Sequence, residues 1–463
     1  MDNAEFNKIV DDIMNNPKYA DKLTRAQVED IVRAELSTGS VKGFSDEAVN
    51  SADIRSQRVE NSEYQNRQGH PKVSIVIVSY DHYELTKDCL DSIESHCNAG
   101  DIEVILIDNA SSDGSDKWLS DHINDYHFAM VLLLMEKNSG FPGGCNIGIR
   151  AAYPKSDIFL LNNDTRLLHN SLSFLQKALN RSPLIGAVGA VSNYGSNDTV
   201  ENYSVSSVEE YIEFGNSINI PTLNPIEEKS ILSAFAMLIK RDVLEQIRYI
   251  IMDDNGIEIP ERTEYFDEQF FPGYFDDNDL CLRIRLQGYR LMLVHNSYIY
   301  HAGSKSFRQF DLEPINERNH LSFIHKWNYD CRIWQETSDS ELDVEDQLEK
   351  LLKDRYPSST DPKDMNFRLI EIGAGTGDFI SRLKYKYPNA YIIGAETDET
   401  AVSFSLDSAM VLFLENDERL PFPRRSFDFI IIKNRDVDSV LNSHVMTEKY
   451  GSYLLPGGQI FLA

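Results

Sequence analysis

The chain has 463 residues and a formal net charge of −29, from 74 acidic and 45 basic side chains. A chain of this length exceeds one ordinary hydrophobic core, so two or three domains are expected. The acidic excess repels nucleic acid and anionic lipid, which excludes both as non-specific partners, and an anionic substrate would need a local cation.

The cysteines and the apolar runs indicate a cytoplasmic protein without a transmembrane segment. The five cysteines are scattered and form no CxxC pair, which fits a reducing compartment. The longest apolar run, FAMVLLLM, is far shorter than the roughly 20 residues that span a bilayer. The N-terminus MDNAEFNKIVDD is acidic and lacks the apolar core of a signal peptide. Any membrane association is therefore expected to be peripheral and to occur through partners.

Residues 1–70 are polar and acidic, with helix-prone stretches such as RAQVEDIVRAEL and no strand signal, and they predict a helical N-terminal extension. From residue 72 onward, strand and helix patterns alternate. The predicted strands are KVSIVIVSY, EVILIDNAS, AMVLLLM and DIFLLNNDT, and the helices between them are YELTKDCLDSIESHC, GSDKWLSDHI and GGCNIGIRAAY. This alternation predicts an α/β fold with a mostly parallel, doubly wound sheet.

Ligands of such sheets bind at the carboxyl ends of the strands. Polar residues collect at those ends in this sequence, namely Tyr80, Asp81, Asp108, Asn109, Asn138, Asn162, Asn163 and Asp164. After Thr165 the alternation is looser. SILSAFAMLIK is predicted to be one strand, residues 276–288 a helix, and YRLMLVHNSYIYH a pair of strands with His295 between them.

The sequence further predicts a domain boundary after the first α/β domain, which is placed at residues 71–334. Residues 335–365 are acidic and then rich in Pro and Ser, which predicts a helix followed by a linker. The segment FRLIEIGAGTGDFISRL then begins a second, smaller Rossmann-like domain, placed at residues 366–463.

Two groups of carboxylates stand out in the first domain. The segment GYFDDNDLCLRIRLQGYR contains Asp276, Asp277 and Asp279. Asp279 lies four residues before Arg283, so an ion pair on one helix face is expected, and Asp276 can cap the helix. Asp164 follows a buried strand, where a carboxylate can bind a divalent cation. Taken alone, both groups are most simply interpreted as caps and solvated turn residues.

In combination, however, these segments resemble a known family. Residues 72 to about 305 are similar to family 2 glycosyltransferases of the GT-A fold, particularly the bacterial rhamnosyltransferase-like branch. The similarity rests on VSIVIVSYDHYELTKDCLDSI, VILIDNASSDGS, NSGFPGGCNIGI, LLNNDT and FDDNDLCLRIRLQGY, which occur in the order of the family.

This resemblance implies an inverting enzyme that moves a sugar from a nucleotide-diphosphate donor to a hydroxyl of a bacterial surface glycan or glycoprotein. A UDP-sugar is expected rather than a dTDP-sugar. Asp277 is the implied catalytic base, with Asp276 as its rival. Asp108 is expected to accept an N–H of the base. The full set of implied donor-binding residues is Ser79, Tyr80, Asp108, Asn138, Gly143, Gly144, Asn163 and Asp164.

The resemblance also implies Mn²⁺ or Mg²⁺, bound by Asp164 and His301. Asn162 and Asn163 stand where many relatives have Asp, so Asp164 is the one carboxylate expected to bind the ion. A cation among Ser304, Lys305 and Arg308, which follow His301, could neutralise the leaving diphosphate.

Residues 367–463 resemble the front part of class I S-adenosylmethionine-dependent methyltransferases. The similarity implies that Glu371, Gly373, Gly375 and Gly377 lie beside the methionine half of S-adenosylmethionine. Glu396 would bind the ribose, and Asp417 would lie near the adenine. Five of the seven strands usual for that fold are present, so we expect weak cofactor binding or none, and no methyl transfer.

Two other functions remain open at this point. An inactive transferase-fold scaffold is one, since Asn replaces Asp at positions 162 and 163. A glycan-recognition arm of a methyltransferase is the other, and the incomplete second domain counts against it.

Overall fold

A computed structural model describes Ser51 and residues 54–194, 207–250, 252, 257, 259–303, 313–328, 330–334, 339–357, 361–414, 420–433 and 448–463. The described residues form two compact units. The first unit comprises those of Met1–Arg166, Leu244–Leu280 and Ala302–Asn328, and the second unit comprises those of Leu167–Val243, Cys281–His301 and Tyr329–Ala463. In these ranges, none of the helices combines the length and the apolar composition that a bilayer span requires.

The strands are β1 Ser56–Glu60, β2 Val73–Ser79, β3 Ile102–Asp108, β4 Ala129–Met135, β5 Asp157–Leu161, β6 Thr165–Arg166, β7 Ile185–Val191, β8 Ile226–Lys229, β9 Ala236–Ile239, β10 Arg290–Tyr298, β11 Tyr300–His301, β12 Arg368–Ile372, β13 Tyr391–Glu396, β14 Val411–Phe413, β15 Phe427–Ile432 and β16 Leu454–Leu462.

The helices are α1 Ser62–Asn66, α2 Tyr83–His96, α3 Ser115–His122, α4 Gly140–Ala151, α5 Ser171–Leu179, α6 Val208–Ile218, α7 Arg241–Ile247, α8 Asp276–Leu286, α9 Glu313–Trp327, α10 Cys331–Trp334, α11 Asp339–Arg355, α12 Asp378–Lys386 and α13 Glu399–Ser403.

The sheet of the first unit has the strand order β1-β4-β3-β2-β5. The pairs β4-β3, β3-β2 and β2-β5 are parallel. Every residue of β3 is buried, and β2 and β4 are nearly as buried, as expected when helices cover both faces of a parallel sheet. The four strands and three helices predicted for this region are therefore confirmed, and the α/β fold with them.

Strand β1 corrects the prediction that residues 1–70 contain no strand. It pairs antiparallel with β4, with Ser56 opposite Met135 and Glu60 opposite Val131. Its sequence SQRVE is polar and its side chains are largely exposed, because it covers the otherwise open edge of β4 rather than filling a core. The helices predicted within residues 1–50 lie outside the described residues.

The second unit contains four strands in the order β9-β7-β10-β8. Strands β7 and β10 are parallel, whereas β9 and β8 run antiparallel to their neighbours. Two local predictions are corrected here. In the segment SILSAFAMLIK, residues 236–239 alone are a strand, and His295 lies inside β10 rather than between two strands.

The C-terminal sheet, also in the second unit, has the order β14-β13-β12-β15-β16, with all neighbours parallel. This sheet begins at the central strand β12. Strands β13 and β14 then add on one side, and β15 and β16 add on the other side, which is the doubly wound topology. Residues 335–365 were predicted as a helix followed by a linker, and α11 is that helix. It belongs to the domain rather than to a boundary, because Val344, Leu348 and Leu352 pack into the core that contains Leu369 and Phe429 of this sheet.

Candidate active site

Ser79 and Asp108 are the last residues of β2 and β3, and they lie side by side because they are partners in the parallel register of these two strands. Asp108 is almost completely buried, at 1% exposure. Its Oδ2 accepts the backbone N–H of Ser111 at 3.2 Å, whereas no donor in the described part of the chain reaches its Oδ1. Burial raises the pKa of Asp108 to about 6, although the hydrogen bonds from Ser111 oppose the rise. The carboxyl group thus offers a buried acceptor.

The loops after β2 and β3 are strained and joined to each other. Asp81, His82 and Ala110 have φ angles of 53°, 56° and 64°, in the left-handed region that few non-glycine residues occupy. The backbone N–H of Asp81 donates to Ser111 Oγ at 2.8 Å, and that of His82 donates to Asp113 Oδ2 at 2.7 Å. Strain of this kind persists where surrounding contacts enforce it, and it is common at binding sites.

Tyr80, predicted to border the base, precedes this strained loop and is half-buried. Burial, followed by the charges of Asp81 and Asp113, raises the pKa of its phenol above the ordinary value, so the hydroxyl stays protonated and can donate. The ring and hydroxyl are therefore suited to stacking on a base and to a hydrogen bond at the same edge of the sheet.

Asn109 has a role that the sequence did not assign. Its Nδ2 donates to Asn138 Oδ1 at 2.9 Å and to the carbonyl of Gly140 at 3.0 Å, and its Oδ1 accepts the N–H of Ser139 at 2.9 Å. The side chain of Asn138, predicted to contact the donor, is thus oriented from β3. The signal that could have indicated this role is the position of Asn109 directly after a buried strand.

Gly143 and Gly144 lie buried in the first turns of α4, and both were predicted to line the donor site. A Cβ atom on Gly143 would lie 2.7 Å from Ser139 Cβ, and one on Gly144 would lie 2.7 Å from Val78 Cγ1. The absence of a side chain at Gly144 therefore lets α4 pack on β2, whereas at Gly143 it leaves room for Ser139. Contact with a donor stays a prediction for both glycines.

The end of β5 holds the predicted metal ligand Asp164 and its neighbour Asn163, which are both buried. Asn163 Nδ2 donates to Thr86 Oγ1 at 3.0 Å and lies 3.4 Å from Ser79 Oγ, so this amide connects β5 to β2 and α2. The carbonyl of Asp164 accepts the N–H of Ala302, the residue after His301, at 2.9 Å. Among the described residues, no group of three or more His, Cys, Asp or Glu side chains could hold a metal ion.

His301, the second predicted metal ligand, is buried in the second unit and held on several sides. Asn193 Nδ2 donates to its carbonyl at 2.9 Å, and its N–H donates to Asn193 Oδ1 at 2.8 Å. Phe235 stacks on the imidazole with ring centroids 5.1 Å apart, and Tyr194 meets it edge-on at 5.4 Å. The ring therefore has a fixed orientation. Ser304, Lys305 and Arg308 lie outside the described residues.

The acidic cluster occupies the first turn of α8, and its three carboxylates have different surroundings. Asp276 and Asp279 are buried at 3% and 0% exposure, whereas Asp277 is half-buried. Burial, followed by the charge of Asp277, raises the pKa of Asp276 well above its ordinary value. Asp277 is thus the least buried of the three carboxylates.

Asp279 was expected to pair with Arg283. The structure adds two partners from α9 that helix spacing could not indicate. Lys326 Nζ donates to Asp279 Oδ1 at 2.5 Å, and Trp327 Nε1 donates to the same oxygen at 2.8 Å. Lys326 also donates to Asp267 at 2.6 Å. Burial alone would lower the pKa of Lys326, but Asp279 and Asp267 raise it overall, so this cation stays charged.

In the C-terminal sheet, the predicted glycine-rich turn follows β12. Gly373, Gly375 and Gly377 have φ angles of 81°, 59° and 85°, which explains why glycine is needed at each position. Glu396, predicted to bind ribose, is already engaged. Its Oε2 accepts the N–H of Gly375 at 2.8 Å, and its Oε1 accepts the N–H groups of residues 397 and 398 at 2.8 and 3.0 Å.

Glu371 precedes this turn and is buried at 1% exposure. Asp417 lies outside the described residues. The glycine turn therefore has positive φ angles at all three glycines, and the carboxylate of Glu396 holds this turn. Binding of ribose by Glu396 stays a prediction.

Comparison with known proteins finds a family match within the first α/β region. Residues 74–248 match the model of the family described as "Glycosyl transferase family 2". Over 117 residues the chain is 26% identical to a teichoic acid poly(glycerol phosphate) polymerase of Staphylococcus epidermidis. The matched region is 25% of this chain and 16% of that protein, so the chain spans about a sixth of the length of this relative.

Three solved structures are similar over roughly half of the chain. A mannosyltransferase from Pyrobaculum calidifontis with GDP-Man and Mn²⁺ is 17% identical, with a TM-score of 0.35, and the match covers 59% of this chain and 63% of that one. GalNAc-T7 with UDP, GalNAc and Mn²⁺ is 13% identical, with a TM-score of 0.42 and coverages of 56% and 48%. Residues 1–349 of S. aureus TarS with UDP-GlcNAc are 14% identical, with a TM-score of 0.34 and coverages of 50% and 58%.

TM-scores below 0.5 support no conclusion. The finding that points to a function is the family match, which places a region similar to glycosyl transferase family 2 at residues 74–248 of this chain.

Proposed function

We propose that this protein is an inverting glycosyltransferase that moves a sugar from a nucleotide-diphosphate donor to a hydroxyl group of an acceptor. The observation that carries the mechanism is the position of Asp277, a half-buried carboxylate between two buried ones in the first turn of α8. Asp277 takes the proton of the acceptor hydroxyl as its oxygen attacks the anomeric carbon from the face opposite the leaving diphosphate. Asp276, with its raised pKa, donates a hydrogen bond to a sugar or acceptor hydroxyl.

Asp108 supports the donor assignment. Its buried Oδ1 can accept an N–H from the edge of a nucleobase, and the strained loops after β2 and β3 hold that oxygen in place. Uracil, thymine and guanine all present such an N–H, so this contact selects a class of donor rather than one base. Within that class we propose a UDP-sugar, because it is the donor that the family resemblance of the sequence implies.

A divalent cation, Mn²⁺ or Mg²⁺, fits the donor atoms of Asp164 and His301. A carboxylate oxygen suits either ion, and an imidazole nitrogen favours Mn²⁺. Because the described residues include no group of three or more His, Cys, Asp or Glu side chains that could hold a metal ion, diphosphate oxygens and water would supply the other ligands. When bound, the ion would stabilise the negative charge of the leaving diphosphate. The stacking of Phe235 holds the His301 ring, and the hydrogen bonds of Asn193 hold the His301 backbone.

The acceptor is proposed to be a hydroxyl of a bacterial cell-surface polymer, either a glycan or a glycoprotein. The teichoic acid polymerase of Staphylococcus epidermidis, which matches over 117 residues, supports a polyol-phosphate or glycan chain as the class to test first.

Transfer can be tested with a panel of radiolabelled nucleotide sugars, purified surface polymers as acceptors, and either Mn²⁺ or EDTA. We expect at least one UDP-sugar to be consumed in the presence of Mn²⁺ and much less in EDTA. Asp277→Asn keeps the shape of the side chain and removes the base, so transfer should fall by about 10²- to 10⁴-fold while donor affinity is unchanged. If Asp276→Asn abolishes transfer and Asp277→Asn does not, Asp276 is the base. Binding of a donor without any turnover would favour the inactive scaffold.

We also propose that the C-terminal domain binds S-adenosylmethionine weakly or not at all. The support is the carboxylate of Glu396, whose two oxygens are occupied by three backbone N–H groups of its own turns. Calorimetry with S-adenosylmethionine tests this, and affinity in the low micromolar range or methyl transfer to a glycan would contradict it.

A further inference from the structure

The side-chain amide of Asn319 on helix α9 holds the turn that leads into the acidic cluster. Its Nδ2 lies 2.9 Å from the carbonyl oxygen of Phe270, 2.7 Å from that of Gly273 and 3.3 Å from that of Tyr274. Asn319 is completely buried, at 0% exposure. The guanidinium of Arg318 donates to the carbonyl of Phe271 in the same turn, and its Nε donates to Asn319 Oδ1 at 3.0 Å.

The turn that Asn319 holds is strained. Tyr274 and Phe275, the two residues before Asp276, have φ angles of 71° and 65°. Such φ angles are unfavourable for residues with side chains, and the conformation persists where contacts enforce it. The other side of the turn rests on α4, since Phe141 N–H donates to Pro272 O at 2.8 Å. Residues 270–275 are thus held between the start of α4 and the amide of Asn319.

The C-terminal end of α9 contacts the acidic cluster, since Lys326 and Trp327 both donate to Asp279. Near the middle of α9, His320 stacks on Phe275, the residue before the cluster, with ring centroids 5.1 Å apart. Asn319 and Lys326 are about two helical turns apart and therefore lie on one face of α9. On this face, Asn319 holds the backbone that precedes the acidic cluster, and Lys326 neutralises the carboxylate of Asp279 within the cluster.

We propose that Asn319 is a positioning residue for sugar transfer, which sets the backbone of residues 270–275 so that the carboxylate of Asp277 meets the acceptor hydroxyl. The proposal rests on the proposed function, and Asn319 itself does not contact the substrate. The physical basis is geometric: a general base must lie within hydrogen-bond reach of the proton that it removes, and a displacement of about 1 Å can cost roughly 10²-fold in rate.

The test compares Asn319→Asp with Asn61→Asp. Both side chains are completely buried in the first unit, and Asn61 Nδ2 likewise donates to two carbonyls, those of Tyr126 at 3.4 Å and Phe128 at 2.8 Å. Each substitution keeps the shape and removes the two amide donors. We expect similar falls in Tm for the two variants. Asn319→Asp alone should lower kcat for transfer, by about 10- to 100-fold, with an unchanged KM for the donor.

A second comparison separates positioning of the base from a general structural effect. If Asn319 acts through Asp277, then Asn319→Asp should change kcat less than about twofold in a chain that already carries Asp277→Asn, because the two losses share one mechanism. An equal loss in both backgrounds, an equal loss in Asn61→Asp, or wild-type kcat in a folded Asn319→Asp would overturn the proposal.

Hydrogen–deuterium exchange provides a measurement that does not depend on activity. Asn319→Asp should speed amide exchange in residues 274–279 and leave β2 and β3 unchanged, whereas unchanged exchange in residues 274–279 would overturn the proposal by itself. If local exchange rises but the wild-type chain transfers no sugar, the proposed function has failed and Asn319 positions the turn without serving transfer, which also overturns the proposal. If the wild-type chain is active and Asp277→Asn is not, a silent Asn319→Asp overturns the positioning role alone.

Discussion

Asp108 carries a stability cost, and the proposed contact with a nucleobase gives a reason for it. Its carboxyl group is buried with one oxygen unsatisfied in the described structure, and burial raises its pKa from 3.8 to about 6. Since the folded pKa is above the unfolded one, the native state binds more protons between about pH 4 and pH 6. Stability therefore falls as the pH rises through this window, and the full cost is present above pH 6.

Replacing Asp108 with Asn should stabilise the protein at pH 7 but not at pH 4. The neutral amide avoids the cost of burying a charge, which corresponds to on the order of 1–3 kcal/mol for a shift of this size. Urea denaturation at both pH values measures the effect. Asp101→Asn is the control. Asp101 directly precedes β3, is half-buried and pairs with the exposed Lys72, so its replacement should change stability by under about 1 kcal/mol at either pH. A loss of stability at pH 7 in Asp108→Asn would contradict the argument.

The same carboxyl group should make nucleoside binding depend on pH. An N–H donor binds an ionised carboxylate more strongly than a protonated one, so binding favours the charged form. Uridine is the suitable probe, because it has no phosphate that titrates. Its affinity should rise between pH 5 and pH 7 and then level off, and Asp108→Asn should bind more weakly with no such rise. Calorimetry checks this, and equal wild-type affinity at pH 5 and pH 7 would disprove the contact.

At the scale of elements, the sequence predicts those parts whose signal is local. Strands β2 to β5 are buried runs bounded by polar residues, and periodicity alone identifies them. Strand β1 is polar, and its backbone pairs with the edge of β4 that would otherwise lack a partner strand. Its own sequence therefore carries no pattern that indicates a strand. The segment SILSAFAMLIK is apolar enough for a strand, but Leu232 bonds with its N–H and carbonyl to the thiol of Cys281 instead of a neighbouring strand.

The candidate site divides in the same way. Asp108, Asp164 and Asp277 follow strands or begin a helix within recognisable motifs, so the sequence alone selects them as candidates. The residues that hold them are distant in sequence. Asn319 lies more than 40 residues from the turn that it bonds, and Lys326 lies as far from Asp279, within a helix whose sequence carries no motif. Contacts of this kind depend on tertiary packing, which local periodicity does not encode.

Helix α9 should be indispensable because it neutralises a buried charge. Lys326→Met would leave the carboxylates of Asp279 and Asp267 without their cation, at a cost of about 3–5 kcal/mol. Asp279→Asn should cost less, since Lys326 keeps Asp267 and the amide can still accept from Trp327. Thermal denaturation of both variants tests this order. Lys353→Met, which removes an exposed i,i+4 ion pair with Glu349, is the control and should cost under about 1 kcal/mol.

At the scale of the whole molecule, the C-terminal domain is bonded to the sheet that contains β8, within the second unit. The N–H and hydroxyl of Ser230, just after β8, donate to Asp378 Oδ1 at 3.0 and 2.7 Å. Ser381 Oγ donates to the carbonyl of Glu228 at 2.8 Å, and Ser408 N–H donates to Glu228 Oε2 at 2.8 Å. All of these partners except Ser408 are nearly completely buried.

These contacts begin at the glycine-rich turn. Asp378 is the first residue of α12, directly after Gly377, and Thr376 Oγ1 donates to its other oxygen at 2.6 Å. A carboxylate at a helix N-terminus is stabilised by the free N–H groups there, and this one connects that terminus to the residue after β8. The turn that resembles a cofactor site is therefore also an anchoring point for the rest of the second unit.

We therefore expect the C-terminal domain and the sheet of β7 to β10 to unfold together. In a double-mutant cycle, Ser230→Ala and Asp378→Asn should each destabilise the protein by about 1–3 kcal/mol, since each leaves buried polar groups unsatisfied. The double variant should be more stable than the sum predicts, by about 0.5–3 kcal/mol, because the two residues share one interaction. Urea denaturation followed by circular dichroism gives the four free energies of unfolding. Additive effects, or a separate transition of the C-terminal domain in the wild-type chain, would mean that these hydrogen bonds do not join the two sheets into one cooperative unit.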